Sequence, residues 1–140
     1  MKNKLTDLAI LWLRVALGVG LMYHGYGTLE RGVAEFATNA VEPLGFPVPL
    51  LWAWAAVASA LFGGLFILIG LWTRWAALAA GVTLSVAAFV AQAADPFPQK
   101  EKAIVYLVAC IFFVLNGAGT FAVHPSGKGG RKSTPLKKEK

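Results

Sequence analysis

Leu11 to Gly27, LWLRVALGVGLMYHGYG, is the stretch on which the reading of this chain turns. It is apolar enough to enter a bilayer, yet it carries Arg14 inside the apolar run and His24 near its far end. A charged side chain at the centre of a membrane helix costs roughly 2.5 to 3.5 kcal/mol on insertion scales. Arg14 must therefore reach the headgroups, find a partner or line a polar cavity.

Outward from this stretch, composition points the same way. Of 140 residues, 57% are hydrophobic and only 14% charged, and mean hydropathy is +0.62. An ordinary soluble domain carries about 25% charged residues, so the chain reads as one integral membrane domain. The net charge of +6 does not mark a nucleic-acid-binding face. Six of the 13 basic residues (Lys128, Arg131, Lys132, Lys137, Lys138 and Lys140) crowd the last 13 positions. Residues 125–140 are expected to form a basic, disordered cytoplasmic tail. Cys110 is the single cysteine, which excludes an intramolecular disulfide and Cys-x-x-Cys redox chemistry. The MKNK start has a signal-like order. Arg14 interrupts the apolar region, however, and no small-x-small cleavage site precedes the next span, so an uncleaved first span is expected.

A spanning helix needs about 20 predominantly apolar residues. Four stretches qualify, at about 6–26, 50–72, 75–94 and 103–123, within a transmembrane domain of residues 1–124. The short links at 73–74 and 95–102 make the later spans antiparallel neighbours. The expected fold is an all-α membrane protein, a four-transmembrane-helix antiparallel bundle. With both termini inside, the inner side collects Lys2, Lys4, Arg74 and the six tail cations, against Arg31, Lys100 and Lys102 outside. The positive-inside rule thus favours a cytoplasmic N-terminus and C-terminus.

The one long connection, 28–49, is too polar to span. Val33, Phe36, Ala37, Ala40, Val41 and Leu44 recur at helical spacing opposite Glu35, Thr38, Asn39 and Glu42. This predicts a short amphipathic helix on the outer face, ended by Pro43 and the GFPVP turn. Ala55, Ser59 and Gly63 form a small-residue ridge in the second span, as do Ala77, Gly81 and Ser85 in the third. Such ridges let membrane helices approach closely. Gly18 and Gly25 share the Arg14 face of the first span, since four and eleven residues are close to whole turns.

No acidic residue lies inside a span, so Arg14 has no intramembrane carboxylate. The helical rise places Arg14 about 12 Å from the inner end of its span, with Thr83 and Asn116 at about 10 to 13 Å. These three define an expected inner polar level, a candidate ligand site for an anion, a lipid headgroup or a quinone carbonyl. The alternative is an arginine that only pins the bundle. A second, outer cluster is expected around His24, with Tyr23, Tyr26, Gln92 and Tyr106 at matching depth. His24 and His124 fall on opposite membrane faces, so no metal site is expected. P-loop, dinucleotide, zinc and nucleophile-elbow motifs are absent from the sequence, and no catalytic residue is assigned.

Arg14 with Gly18, His24-Gly25, Gly45-Phe46-Pro47, Phe62-Gly63-Gly64-Leu65, Ile69-Gly70-Leu71-Trp72-Thr73-Arg74 and Asn116-Gly117-Ala118-Gly119 occur in an order that resembles the DoxX family of small four-span bacterial membrane proteins. The resemblance covers about 11–123. It implies a four-helix inner-membrane bundle associated with redox processes. Some relatives are subunits of thiosulfate:quinone oxidoreductases, and others associate with thiol or superoxide defence. The sequence departs from the family pattern at Ala60, where a glutamate is common, at Thr28, where a lysine is common, and at Phe121-Ala122-Val123, where Ser-x-Asp is common.

The expected function is that of a cofactor-free subunit or partner of a redox- or quinone-linked membrane complex. Independent enzymatic activity is not expected. Its partners would be the lipid bilayer and an oxidoreductase subunit or a second copy of the chain, with quinone or lipid as the ligand classes and no nucleic acid. The competing readings are a transporter or permeation protein for an anion or small organic molecule using Arg14, and a membrane scaffold.

Overall fold

The structure, a computed structural model, describes residues 2–123. His124 and the basic tail expected over 125–140 lie outside the described residues. Regular structure among the described residues is helical throughout. The first helix, α1 (Lys2–Arg31), leads through Gly32 into α2 (Val33–Phe36). The chain then winds on through a π-helical turn, Ala37–Val41, and a 3₁₀ turn, Glu42–Leu44. Next come α3 (Pro49–Ile69), α4 (Thr73–Val86) with its π-helical extension Ala87–Ala91, and α5 (Phe97–Asn116).

The connecting helical segment has the two-sided character its spacing predicts. Val33, Ala37 and Val41 are buried against Ala53 and Val57 of α3, while Glu35, Thr38, Asn39 and Glu42 are exposed. Its apolar side is therefore covered by α3 rather than left to lipid.

The long helices pack in the order α1, α3, α4, α5. The bundle closes only weakly, because α1 and α5 meet along a sparse seam. Leu17 and Leu21 of α1, Ile67 of α3, Ala76, Ala77, Ala80 and Leu84 of α4, and Cys110 and Phe113 of α5 form the common core. α1 and α3 run antiparallel and almost touch. A Cβ on Gly18 would lie 2.7 Å from the Gly64 carbonyl oxygen, and one on Gly64 would lie 2.8 Å from that of Gly18. Glycine at both positions lets the two backbones meet where lipid supplies no hydrophobic drive. Gly63 continues the small-residue contact to Ala76 and Ala80 of α4, and Gly81 faces Cys110 of α5.

Three helical stretches are long and apolar enough to cross a membrane: Lys4–Arg31, Pro49–Ile69 and Thr73–Ala91. The stretch expected as the fourth span, 103–123, is helical over residues 103–116, as part of α5. α5 begins at Phe97, carries Gln99, Lys100, Glu101 and Lys102 in its early turns, and stops at Asn116. Over residues 117–123 the backbone is not helical.

The helices also stand at different heights. Gly25 lies against Ala60 and Leu61, Gly18 against Gly64 and Leu68, and Arg14 beside Gly70 at the end of α3. α3, at 21 residues, is about 31 Å long and by itself matches a hydrocarbon core of about 30 Å. Arg14 is thus level with the end of the bundle rather than about 12 Å inside it, and residues 2–13 of α1 project beyond α3. Ile10 turns inward against Gly119. Leu5, Leu8 and Trp12 form an uncovered stripe on the opposite side of α1.

Candidate functional site

Two polar regions stand out, one at each end of α1. At the first, Arg14 is only 3% exposed. Its Nη1 donates to the Ala118 carbonyl at 2.9 Å and its Nη2 donates to the Phe121 carbonyl. Gly70 makes room for the guanidinium: a Cβ there would lie 2.8 Å from Nη1 and 2.6 Å from the Ala122 Cβ. Gly70 also sits at φ 77, in the left-handed conformation that closes α3. Nearby, Arg74 Nη2 donates to the Leu115 carbonyl at 3.3 Å, and the Val123 amide donates to the Ile69 carbonyl at 3.2 Å.

These contacts identify the counter-charge that the sequence lacks. α3 ends at Ile69 and α5 at Asn116, and Arg14 lies against both ends. A helix C-terminus carries the equivalent of roughly −0.5 elementary charge, so two of them supply about one. The arginine in turn satisfies carbonyls of an unwound segment, 117–123. Irregular backbone is tolerated at membrane depth only when it is buried in protein or faces water. Arg14 Nε is buried without a hydrogen-bond partner among the described residues.

The expected inner level of Arg14, Thr83 and Asn116 is not assembled. Thr83 Oγ1 lies 2.9 Å from Ser59 Oγ, linking α4 to α3, and contacts the Ala79 carbonyl of its own helix at 3.1 Å. Asn116 is exposed at the end of α5. Depth counted from the start of each apolar run misplaces Arg14, because α1 overshoots the end of α3 by about three turns.

The second region is an open cleft of about 390 Å³ on the α1–α5 seam. Four residues of the expected outer cluster line it together: Tyr23, His24, Tyr26 and Tyr106. Gln92 does not line it; its buried Oε1 has no partner among the described residues. Gly20, Glu30, Arg31 and Lys102 also line the cleft and were not anticipated. The ring of Tyr106 lies on Gly20, where a Cβ would meet its Oη at 2.5 Å. His24 and Arg31 also border a neighbouring cleft of about 220 Å³ between α1 and α2, with Glu35 and Asn39. Among the described residues no cluster of three or more His, Cys, Asp or Glu side chains is arranged to hold a metal.

Long apolar helices with uncovered Phe62, Val82, Phe89, Val108 and Leu115, around a core held at one end by an arginine on helix C-termini, define a small helical membrane protein. Residues 9–93, more than half of the chain, match the DoxX family, and the chain belongs to that family. The matched region includes Arg14, Gly18, His24-Gly25 and the Gly63-Gly64 pair; α5 and the segment under Arg14 lie beyond it. No curated protein and no solved structure gives a significant match.

Proposed function

We propose that the chain is a cofactor-free component of a redox-linked complex of the bacterial inner membrane, acting through contact with a partner subunit rather than by its own catalysis. In this reading it crosses the membrane four times with both ends in the cytoplasm. α5 is the fourth span, completed by the apolar segment 117–123 that Arg14 ties back to the bundle. The basic residues at Lys2, Lys4 and Arg74 mark the inner side.

DoxX membership supports the redox association. The observation that carries a partner role is the projecting start of α1, where Leu5, Leu8 and Trp12 make an uncovered apolar stripe beyond the end of α3. An amphipathic helical stripe with anchors at such spacing is a common docking element for a partner groove. The transporter reading required a free Arg14. That guanidinium lies against the protein's own carbonyls, which favours the pinning role over a selectivity charge.

The test is an inventory by mass spectrometry of proteins and quinone retained when the tagged chain is extracted gently at native expression level. An oxidoreductase subunit should co-purify and should be lost when Leu8 and Trp12 are both replaced by serine. A chain recovered alone from intact membranes would contradict the proposal.

A further inference from the structure

The cleft between α1 and α5 has a feature that the partner role does not use: a rim of opposed charges with an excess of one cation. Arg31 and Lys102 stand on opposite walls, with Glu30 as the acid of the lining. Arg31 spends its Nε on the Gly27 carbonyl at 3.0 Å, which holds the side chain along α1 and leaves both Nη groups free among the described residues. Lys102, Glu30, Tyr106 and the His24 ring make no side-chain hydrogen bond or ion pair among the described residues.

Height and openness complete the picture. Counted along the helices, Arg31 is about 25 Å from the Arg14 level and Lys102 about 21 Å from the end of α5. Both therefore stand about 5 to 10 Å below the far edge of a hydrocarbon core of about 30 Å, within reach of lipid phosphates by side-chain extension. The cleft opens on the weakly packed seam, where Tyr23 is 80% uncovered. A neutral quinone would leave the excess cation uncompensated, whereas a singly charged phosphodiester neutralises the rim and accepts hydrogen bonds from both walls.

We propose that this cleft seats the headgroup of an anionic phospholipid from the leaflet on the α2 side, its phosphate between Arg31 and Lys102 and its ester and hydroxyl oxygens over His24 and Tyr106. The lipid wedges into the seam and supplies the closure that α1 and α5 lack. This inference is independent of any partner subunit.

The full chain in detergent is titrated with phosphatidylglycerol and with phosphatidylcholine, and bound lipid is counted by native mass spectrometry. Phosphatidylglycerol should bind about tenfold more tightly than phosphatidylcholine. The doubly neutral variant Arg31→Gln, Lys102→Gln should lose about that factor, and the charge-keeping variant Arg31→Lys, Lys102→Arg should retain it. The tail cations are common to all three proteins, so the difference between variants reports the cleft. An unchanged thermal midpoint in the neutral variant shows that it still folds, and the charge-keeping protein carries the comparison if it does not. Equal binding of the two lipids, or undiminished phosphatidylglycerol binding by the neutral variant, overturns the proposal. Displacement of phosphatidylglycerol by millimolar inorganic phosphate, or by ubiquinone, overturns it as well, by assigning the cleft to a soluble anion or to a neutral ring.

Discussion

Replacing Arg14 by leucine removes both donors from the 117–123 segment and one of the cations near the ends of α3 and α5, Arg74 remaining on the Leu115 carbonyl. Ala118 is 1% exposed, so water cannot take over its carbonyl, and an unsatisfied buried acceptor costs about 1 to 3 kcal/mol. Phe121 is 57% uncovered and the bond to its carbonyl is only part-buried, so no such cost is counted for it. Loss of the favourable charge at two helix C-termini adds about 0.3 to 1 kcal/mol each. The expected destabilisation is about 2 to 5 kcal/mol. Arg14→Lys keeps the charge but loses the fork that spans two carbonyls, so about half that loss is expected. Reversible unfolding in mixed micelles, titrated with sodium dodecyl sulfate and followed by circular dichroism, gives both values. A leucine variant as stable as the parent, or more stable, would refute the anchoring role, because it would show that the segment stays in place without the arginine.

Further perturbations follow from the packing. Gly18→Ala sets a Cβ against the Gly64 carbonyl, which is backbone and cannot swing away; a loss of about 1 to 3 kcal/mol is expected in the same titration. Gly70→Ala meets both a positive φ and the Ala122 contact, and its thermal midpoint should fall more than that of Gly81→Ala, where a Cβ stays at 3.5 Å or more from its neighbours. A double-mutant cycle on Ser59→Ala and Thr83→Ala should return a coupling of about 0.6 kcal/mol, the average measured for side-chain hydrogen bonds between membrane helices; zero coupling would deny the hydrogen bond. Cys110 is 0% exposed in the core. A maleimide should label it only after unfolding, and rapid labelling of the folded chain would place α5 wrongly.

Much of this was legible in the sequence because it rests on periodicity. The two-sided pattern from Val33 to Leu44 specified its buried and exposed faces, and Gly18 and Gly25 specified the side of α1 that meets α3. Four of the five residues grouped around His24 do share one cleft. The partners of Arg14 were hidden for a physical reason. They are backbone carbonyls more than 100 residues away, and every residue has a carbonyl, so no residue type signals them. Arg31 and Lys102 were hidden differently, since counting them as loop cations for topology obscured that α1 and α5 carry them onto one seam. Gln92 was placed by depth alone, which gives height on a helix but not the direction in which the helix turns it.

The four crossings are tested most directly by the side of the membrane on which each connection lies. Single cysteines are introduced at Asn39, Arg74, Gln99 and Ser126 in a Cys110→Ala background, and labelled with a membrane-impermeant maleimide in sealed vesicles of one orientation. Asn39→Cys and Gln99→Cys should react from one side, and Arg74→Cys and Ser126→Cys only from the other. Reaction of Gln99→Cys and Ser126→Cys from the same side would show that α5 does not cross, and would contradict the four-span membrane component proposed for this chain.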